Sequence, residues 1–384
     1  MRIPAIFPTS VVGSFPRPSW LVKAIEDRAS GRLDPSEFED LLDDSVKVTI
    51  KEQEVIGIDV ISDGEQRRFS FFYAELFKGM EYRPIYSLAS LRGSDAIQYL
   101  RSIGMPEGVR HPVTIGDLDI DEEFLKREAG FALRYSIKPL KVALPSPYLL
   151  MIDSWNEDLS SQAYPKPEDL GFEVAKIINR AIRILRDLGV FFVQLDDPGL
   201  TDPIDPTYYR LIEMINGYKP RTPIEEELNL ARDLINEAVK GVSGIKIGLH
   251  ICRGNWPGPE DRMPKGGYRK ILPWVLDIRV EQLVLEYATP RAGSIRDLEG
   301  YGIEKELGLG VIDVKNPRIE TPGEVISRVN EASRYIDPGK IWLNPDCGFA
   351  SGATWPVQPR KRSFEKLRPM VEAAKILRRE YGYQ

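Results

Sequence analysis

Four side chains carry most of the chemistry that this sequence advertises. His250 and Cys252 stand two apart in Ile247-Gly248-Leu249-His250-Ile251-Cys252-Arg253-Gly254-Asn255, an apolar run that enters a Gly-containing loop. Successive side chains of an extended chain alternate faces, so this run offers an imidazole and a thiol on one side. The chain has two histidines and two cysteines, and the other cysteine, Cys347, also follows an apolar run, in Asn344-Pro345-Asp346-Cys347-Gly348-Phe349. A mixed nitrogen and sulfur set at strand ends suits zinc. Glu286 closes the apolar run Leu283-Val284-Leu285 and would be costly to bury unless it met a cation. With it, His250, Cys252, Glu286 and Cys347 make a complete tetrahedral shell. Taken one at a time the residues have plainer readings, His250 as a satisfied core residue and the cysteines as small hydrophobes. The other histidine, His111, reads as a surface residue.

Two thiolates and a carboxylate would leave bound Zn²⁺ with one net negative charge, a poor Lewis acid toward water. Such a shell is better at holding a second thiol as its anion, since a metal-bound thiol is deprotonated. The donor set therefore points to thiol alkylation and away from metallohydrolase chemistry. Glu65, in Asp63-Gly64-Glu65, and Asp196, in Gln194-Leu195-Asp196-Asp197-Pro198, are acids at other strand ends. Together they would grip an ammonium group, or else join a network with Arg67 or Arg68. Ser14, in Val12-Gly13-Ser14-Phe15, either offers its backbone to a substrate carboxylate or caps the first layer of the fold.

Strand-like runs occur at Val11–Phe15, Ile58–Asp63, Lys141–Pro145, Phe191–Asp196, Ile245–Cys252, Gln282–Glu286, Leu309–Val314 and Ile341–Leu343. Helical periodicity separates them at about 19–29, 35–56, 168–188, 224–240, 267–278, 321–336 and 364–381, with a short stretch near 294–301. Asp34 and Pro35 read as the cap and first residue of the second helix. Eight strands alternating with helices predict an α/β fold, a (β/α)8 TIM barrel formed by residues 1–384 as one domain. The competitor is an open doubly wound sheet, but no Gly-rich dinucleotide loop follows the first strand. Residues from about 80 to 138 break the rhythm and read as an insertion after the second strand, covering one barrel mouth. Active sites of such barrels lie at the carboxyl ends of the strands, where all these polar residues fall. A net charge of −6 and 42% hydrophobic residues describe an ordinary globular protein and argue against a nucleic-acid partner. No apolar run has membrane-spanning length and no secretory leader is apparent, so a cytoplasmic location is expected.

The motifs Val12-Gly13-Ser14-Phe15-Pro16, Asp63-Gly64-Glu65, Gln194-Leu195-Asp196-Asp197-Pro198, His250-Ile251-Cys252, Leu285-Glu286, Gly310-Val311-Ile312-Asp313-Val314 and Asn344-Pro345-Asp346-Cys347-Gly348 resemble, over nearly the whole chain, the catalytic barrel of cobalamin-independent methionine synthase and its single-barrel zinc thiol methyl- and alkyltransferase relatives. The resemblance implies zinc on His250, Cys252, Glu286 and Cys347. It also implies homocysteine held through its amino group by Glu65 and Asp196, with its carboxylate at the Ser14 backbone. The expected reaction is methyl transfer to homocysteine, giving methionine. Lys315 stands where the full-length enzymes place a histidine that protonates the folate leaving nitrogen, and neutral imidazole suits that transfer better than lysine does. Lys315 and Asp196 are thus the catalytic candidates. Lys315 would meet an anionic group of donor or substrate, or pair with Asp313 or Glu286. The full-length enzymes also carry an N-terminal barrel that helps bind polyglutamylated folate and that this chain is expected to lack. The methyl donor is thereby left between methylcobalamin on a corrinoid partner protein and methyltetrahydrofolate. The alternatives are alkyl transfer to another thiol, such as coenzyme M, and a zinc-binding subunit that turns over only with a partner.

Overall fold

The computed structural model describes residues 3–69, 74–105, 107–255 and 263–383. Six parallel strands, Lys141–Pro145, Phe192–Asp196, Lys246–Ile251, Gln282–Leu285, Glu306–Ile312 and Ile341–Pro345, pair as neighbours in chain order. Single parallel bridges close the ring: Thr9 to Leu343, Ser10 to Val60, and Ile61 to Leu140. The hydrogen bonds there are ordinary, Ser10 N to Leu343 O at 2.9 Å and Lys141 N to Ile61 O at 2.7 Å. The fold is therefore a (β/α)8 barrel, and closure rules out the open sheet.

The strands hold because they are buried on both faces, as a parallel sheet wrapped by helices requires. Inside the barrel Phe192 meets Trp342 with ring centroids 6.1 Å apart. Gly248 makes room for that layer, since a Cβ there would lie 2.7 Å from the Phe192 ring. Outside, helix Pro167–Leu188 buries Leu170, Val174, Ile178, Ile182 and Leu185, an apolar stripe at helical spacing. Helix Pro35–Ile56 starts where its cap residue predicts, with Asp34 accepting from Ser36 N at 2.8 Å. Among the described residues no helix is long and apolar enough to cross a membrane.

Several expectations shift. The first strand pairs through Thr9 and Ser10, ahead of Val11–Phe15, because Gly13 turns the backbone at φ 52° and Ser14 then bridges antiparallel to Ala350. The seventh strand ends at Ile312, where Asp313 Oδ1 accepts from Lys315 N at 2.9 Å and bends the chain. The stretch near 294–301 holds only the short 3-10 turn Ile295–Leu298. Beyond the carboxyl end of the second strand position, Phe77–Pro84 pairs antiparallel with Arg110–Ile120, and helices Ile85–Leu91 and Ser94–Ser102 lie between them. Phe131–Tyr135, whose apolar alternation looks strand-like, ends helix Glu122–Tyr135 instead.

His111 is not a surface residue. It lies on the strand Arg110–Ile120 facing helix Pro147–Ser154, is 4% exposed, and hydrogen-bonds Asp153 O through Nε2 at 2.6 Å. Burial lowers its pKa to about 4.

Candidate active site at the barrel mouth

His250 and Cys252 project from the end of the fifth barrel strand and Cys347 from the end of the eighth. Their ligand atoms all lie within 4.8 Å of one another. Nδ1 of His250 donates to Val284 O at 3.0 Å, so Nε2 is the ring nitrogen left to meet a metal. Nε2 is buried with no hydrogen-bond partner. An orphaned imidazole nitrogen beside two thiols is the geometry of a metal-ligand set.

The charges in this trio are coupled. A hydrogen bond from Cys347 and the nearby His250 pull the Cys252 pKa well below the usual thiol range, against burial. The same bond to Cys252, with burial, pushes Cys347 up. Burial works to lower His250, but the Cys252 charge, Asp196 and Glu286 raise it to about 9.

Glu286 sits at the neighbouring strand end and stands outside the three-residue cluster. Arg253 Nη1 lies 3.0 Å from its Oε2 and Arg291 Nη2 lies 3.5 Å from its Oε1. Burial raises the Glu286 pKa while Arg253 lowers it. Arg253 as the partner of Glu286 was not legible in the sequence, where the two are 33 residues apart.

Glu65 follows Gly64, and both adopt left-handed backbone, at φ 55° and 70°. A Cβ on Gly64 would come within 2.5 Å of Thr49 Cγ2, so only glycine fits there. Left-handed backbone at a glutamate is a strained choice that aims its carboxylate inward. Ser14 Oγ donates to Glu65 Oε2. The Ser14 carbonyl accepts from Phe349 N at 2.8 Å. Glu65 is also framed from behind, since Asp63 Oδ1 takes its N–H at 2.9 Å and buried Arg17 donates to its carbonyl. Arg68 is gripped by Glu128 at 2.9 and 2.6 Å and carries its charge toward Glu65. Arg67 turns the other way, to Glu39 and Asp43 on helix Pro35–Ile56. Arg17 and Glu128 had no sequence signal, because each acts through residues far away in the chain.

Asp196 is paired in register with His250 across the fourth and fifth strands and accepts from Gln194 Nε2 at 2.6 Å. Burial raises the Glu65 pKa, Arg68 opposes this, and the charge of Asp196 adds to the rise. A cation beside Glu65 would relieve this rise. Below them Lys141 Nζ donates to Val11 O at 2.8 Å and lies 4.7 Å from the Phe192 ring centroid. Burial lowers the Lys141 pKa to about 7, with Asp196 acting against it.

Asp346 ties the trio to its neighbours. Its carboxylate accepts the backbone N–H groups of Tyr287, Ala288 and Thr289 at 3.0, 2.9 and 3.0 Å, which anchors the loop after Glu286 beside Cys347. Lys315 is half-buried at the end of the seventh strand, with its carbonyl accepting from Gln358 Nε2 at 2.8 Å. Asp313 Oδ1 accepts the backbone N–H of Lys315 at 2.9 Å.

The family model described as the cobalamin-independent synthase catalytic domain matches residues 7–376. A methionine synthase from Thermococcus kodakarensis is 31% identical over 387 residues, covering 99% of this chain and 96% of the relative. One from Saccharolobus solfataricus is 30% identical over 378 residues, covering 98% and 96%. The structure of a B12-independent methionine synthase from Shewanella sp. W3-18-1 in complex with selenomethionine superposes with a TM-score of 0.72 at 22% identity, covering 98% of this chain and 99% of that one, so the fold is shared. Matched over nearly its whole length by the family model, the chain belongs to the cobalamin-independent synthase catalytic-domain family.

Proposed function

We propose that the protein is a zinc-dependent methyltransferase that converts homocysteine to methionine. The observation that carries the reading is the meeting, at one barrel mouth, of the His250, Cys252 and Cys347 cluster with the buried acids Glu65 and Asp196. A thiol-activating centre and an ammonium-binding pair are what an amino acid with a thiol side chain requires, and the named activity of the relatives agrees.

His250, Cys252 and Cys347 would hold the zinc, with Glu286 as the proposed fourth ligand. Zinc there would acidify an incoming thiol and keep its sulfur electron-rich. Glu65 and Asp196 would receive the substrate ammonium, and the Ser14 backbone its carboxylate. The sulfur then attacks the donor methyl carbon. The S–C bond forms, the bond from methyl to donor breaks with its electron pair leaving on the donor, and the thiol proton passes to solvent. Asp196, beside His250 in register, sets the sulfur's approach by fixing the other end of the substrate. Lys315 is proposed to face an anionic group of the donor.

The test is zinc-loaded protein with homocysteine, offered methylcobalamin and methyltetrahydrofolate in separate reactions, with methionine measured. Methionine is expected from at least one donor, the corrinoid being favoured by lysine at position 315. Product from coenzyme M in place of homocysteine would replace the proposed acceptor. No product without an added corrinoid protein would make the chain one subunit of a larger enzyme.

A further inference from the structure

Lys141 is buried inside the barrel, and the proposed methyl transfer makes no use of it. It opens the third barrel strand in register with Phe192 on the fourth, and the same ladder pairs Ala143 with Gln194 and Pro145 with Asp196. Side chains of a strand alternate faces, so Phe192, Gln194 and Asp196 share the inward one, with Lys141 level with the lowest of them.

Lys141 is 3% exposed. Its Nζ donates to Val11 O at 2.8 Å and lies 4.7 Å from the Phe192 ring centroid. An ammonium has three N–H donors, so one carbonyl leaves it under-satisfied. Among the described residues no carboxylate pairs with it directly, and Asp196 acts on it from higher in the barrel. Gln194 stands between the two levels. Its Nε2 donates to Asp196 Oδ1 at 2.6 Å, and its Oε1 is buried with no hydrogen-bond partner. An ammonium with donors to place thus lies below an amide that has a bare acceptor and whose other end holds the proposed substrate-binding acid.

The other charged groups around the lysine have their own partners. Lys246, in register with Phe192 from the fifth strand, meets Glu306 at 2.6 Å. Arg68, which donates to Ala143 O at 2.7 Å, is gripped by Glu128 at 2.6 Å. Glu65 accepts from Ser14, Asp63 from the Glu65 N–H, and His250 donates to Val284 O. Burial lowers the Lys141 pKa to about 7, with Asp196 opposing, so the lysine's charge is sensitive to any cation that joins Asp196.

We infer that Lys141 is a positioning residue that supplies the positive charge opposite Asp196 before substrate arrives and gives up its proton when the substrate ammonium takes that role. This rests on the reading of Glu65 and Asp196 as the ammonium-binding pair. One N–H bond of Lys141 breaks, its electron pair stays on Nζ, and the proton goes to solvent. The neutral amine can still donate to Val11 O. One positive charge replaces another, and the buried acids never face two. By linkage, amino acid binding and Lys141 protonation oppose each other equally, so affinity rises as pH rises through about 7.

The probe is methionine, the proposed product, which carries the ammonium and carboxylate without a thiol proton. It is added to zinc-loaded protein in which lysine is labelled with carbon-13, and the lysine signals are followed by NMR across pH. The Lys141 signal is the one missing from Lys141→Met. Saturating methionine should lower its titration midpoint by at least about one pH unit. Arginine keeps its charge at every accessible pH. Lys141→Arg should therefore bind methionine about tenfold more weakly than wild type near pH 8, where the native lysine is mostly neutral, and within about threefold of it near pH 6. A merely damaged barrel would lose affinity equally at both. A midpoint that methionine leaves unmoved, or an equal deficit of Lys141→Arg at both pH values, overturns the inference. Should Lys141→Arg not fold, the wild-type titration still decides. Protein that binds no methionine at any pH sinks the functional reading and the inference with it. Methionine that binds, is weakened by Glu65→Gln and leaves Lys141 unmoved sinks the role of the lysine alone.

Discussion

Glu65 and Asp196 are separated by 131 positions in the chain, yet both are buried and close enough for the charge of Asp196 to act on Glu65, and their proximity makes the clearest single-residue prediction. Replacing either carboxylate by its amide, as Glu65→Gln or Asp196→Asn, removes a charge-assisted hydrogen bond worth about 1.5–3 kcal/mol. Homocysteine affinity should fall about 10- to 100-fold while the zinc content stays near one per chain. Titration calorimetry with parallel metal analysis reads both. Zinc lost along with homocysteine binding would mean that these acids support the metal cluster and do not receive the substrate. The identities of these acids were readable from the sequence, because an acid closing an apolar strand is conspicuous in itself. Their supports were not. Arg17, Arg68 and Glu128 contribute through contacts between residues 48 to 60 positions apart.

At the scale of elements, the seventh and eighth strands and the loop after the sixth are locked by a close approach at Gly310. A Cβ there would stand 2.0 Å from Asp346 Oδ1 and 2.8 Å from Leu285 O. Gly310→Ala would therefore push Asp346 away from the N–H groups of Tyr287, Ala288 and Thr289. Overpacking of this kind costs about 1–3 kcal/mol. Thermal unfolding should show the lowered midpoint, and zinc content should drop because Cys347 follows Asp346 directly. A variant with wild-type stability and full zinc would show that the strands yield at this point. A smaller case of the same principle sits at Gly348, where a Cβ would come within 2.8 Å of Ser14 N. Here backbone meets backbone, and no side-chain rotation relieves it.

For the whole molecule, the buried titratable groups couple folding to pH in opposing directions. His111 remains neutral in the folded chain down to about pH 4, whereas an unfolded histidine takes up its proton near pH 6.5. Between those values the unfolded state binds more protons, so the contribution of His111 is lost as pH falls, by about 3 kcal/mol in all. Asp63, raised by burial and Glu128 to about 7, and Asp153, raised by burial to about 8, act the other way. They hold protons that the unfolded chain has released, so their contribution is lost as pH rises from the ordinary carboxyl range. The difference between wild type and His111→Gln isolates the histidine. The variant should lose less stability than wild type between pH 6.5 and 4.5, as read by denaturant melts. Parallel curves would mean that His111 titrates normally.

By itself the sequence determined the alternation of strands and helices, the cap at Asp34, and the donor types gathered at strand ends. Each of these depends on residues within a turn or two of one another, and local periodicity records such relations. The tertiary structure decided the rest. It closed the barrel through Thr9 and Ser10, because Gly13 turns the chain before Val11–Phe15 can pair. It buried His111 by folding the hairpin of residues 77–120 onto helix Pro147–Ser154. It brought His250, Cys252 and Cys347 together, as their types promised, and set Arg253 and Arg291 beside Glu286. Composition could identify Glu286 as a buried acid in need of a cation. That Arg253 and Arg291 stand beside it was not legible, because the loops carrying them are positioned only when the barrel has closed around them.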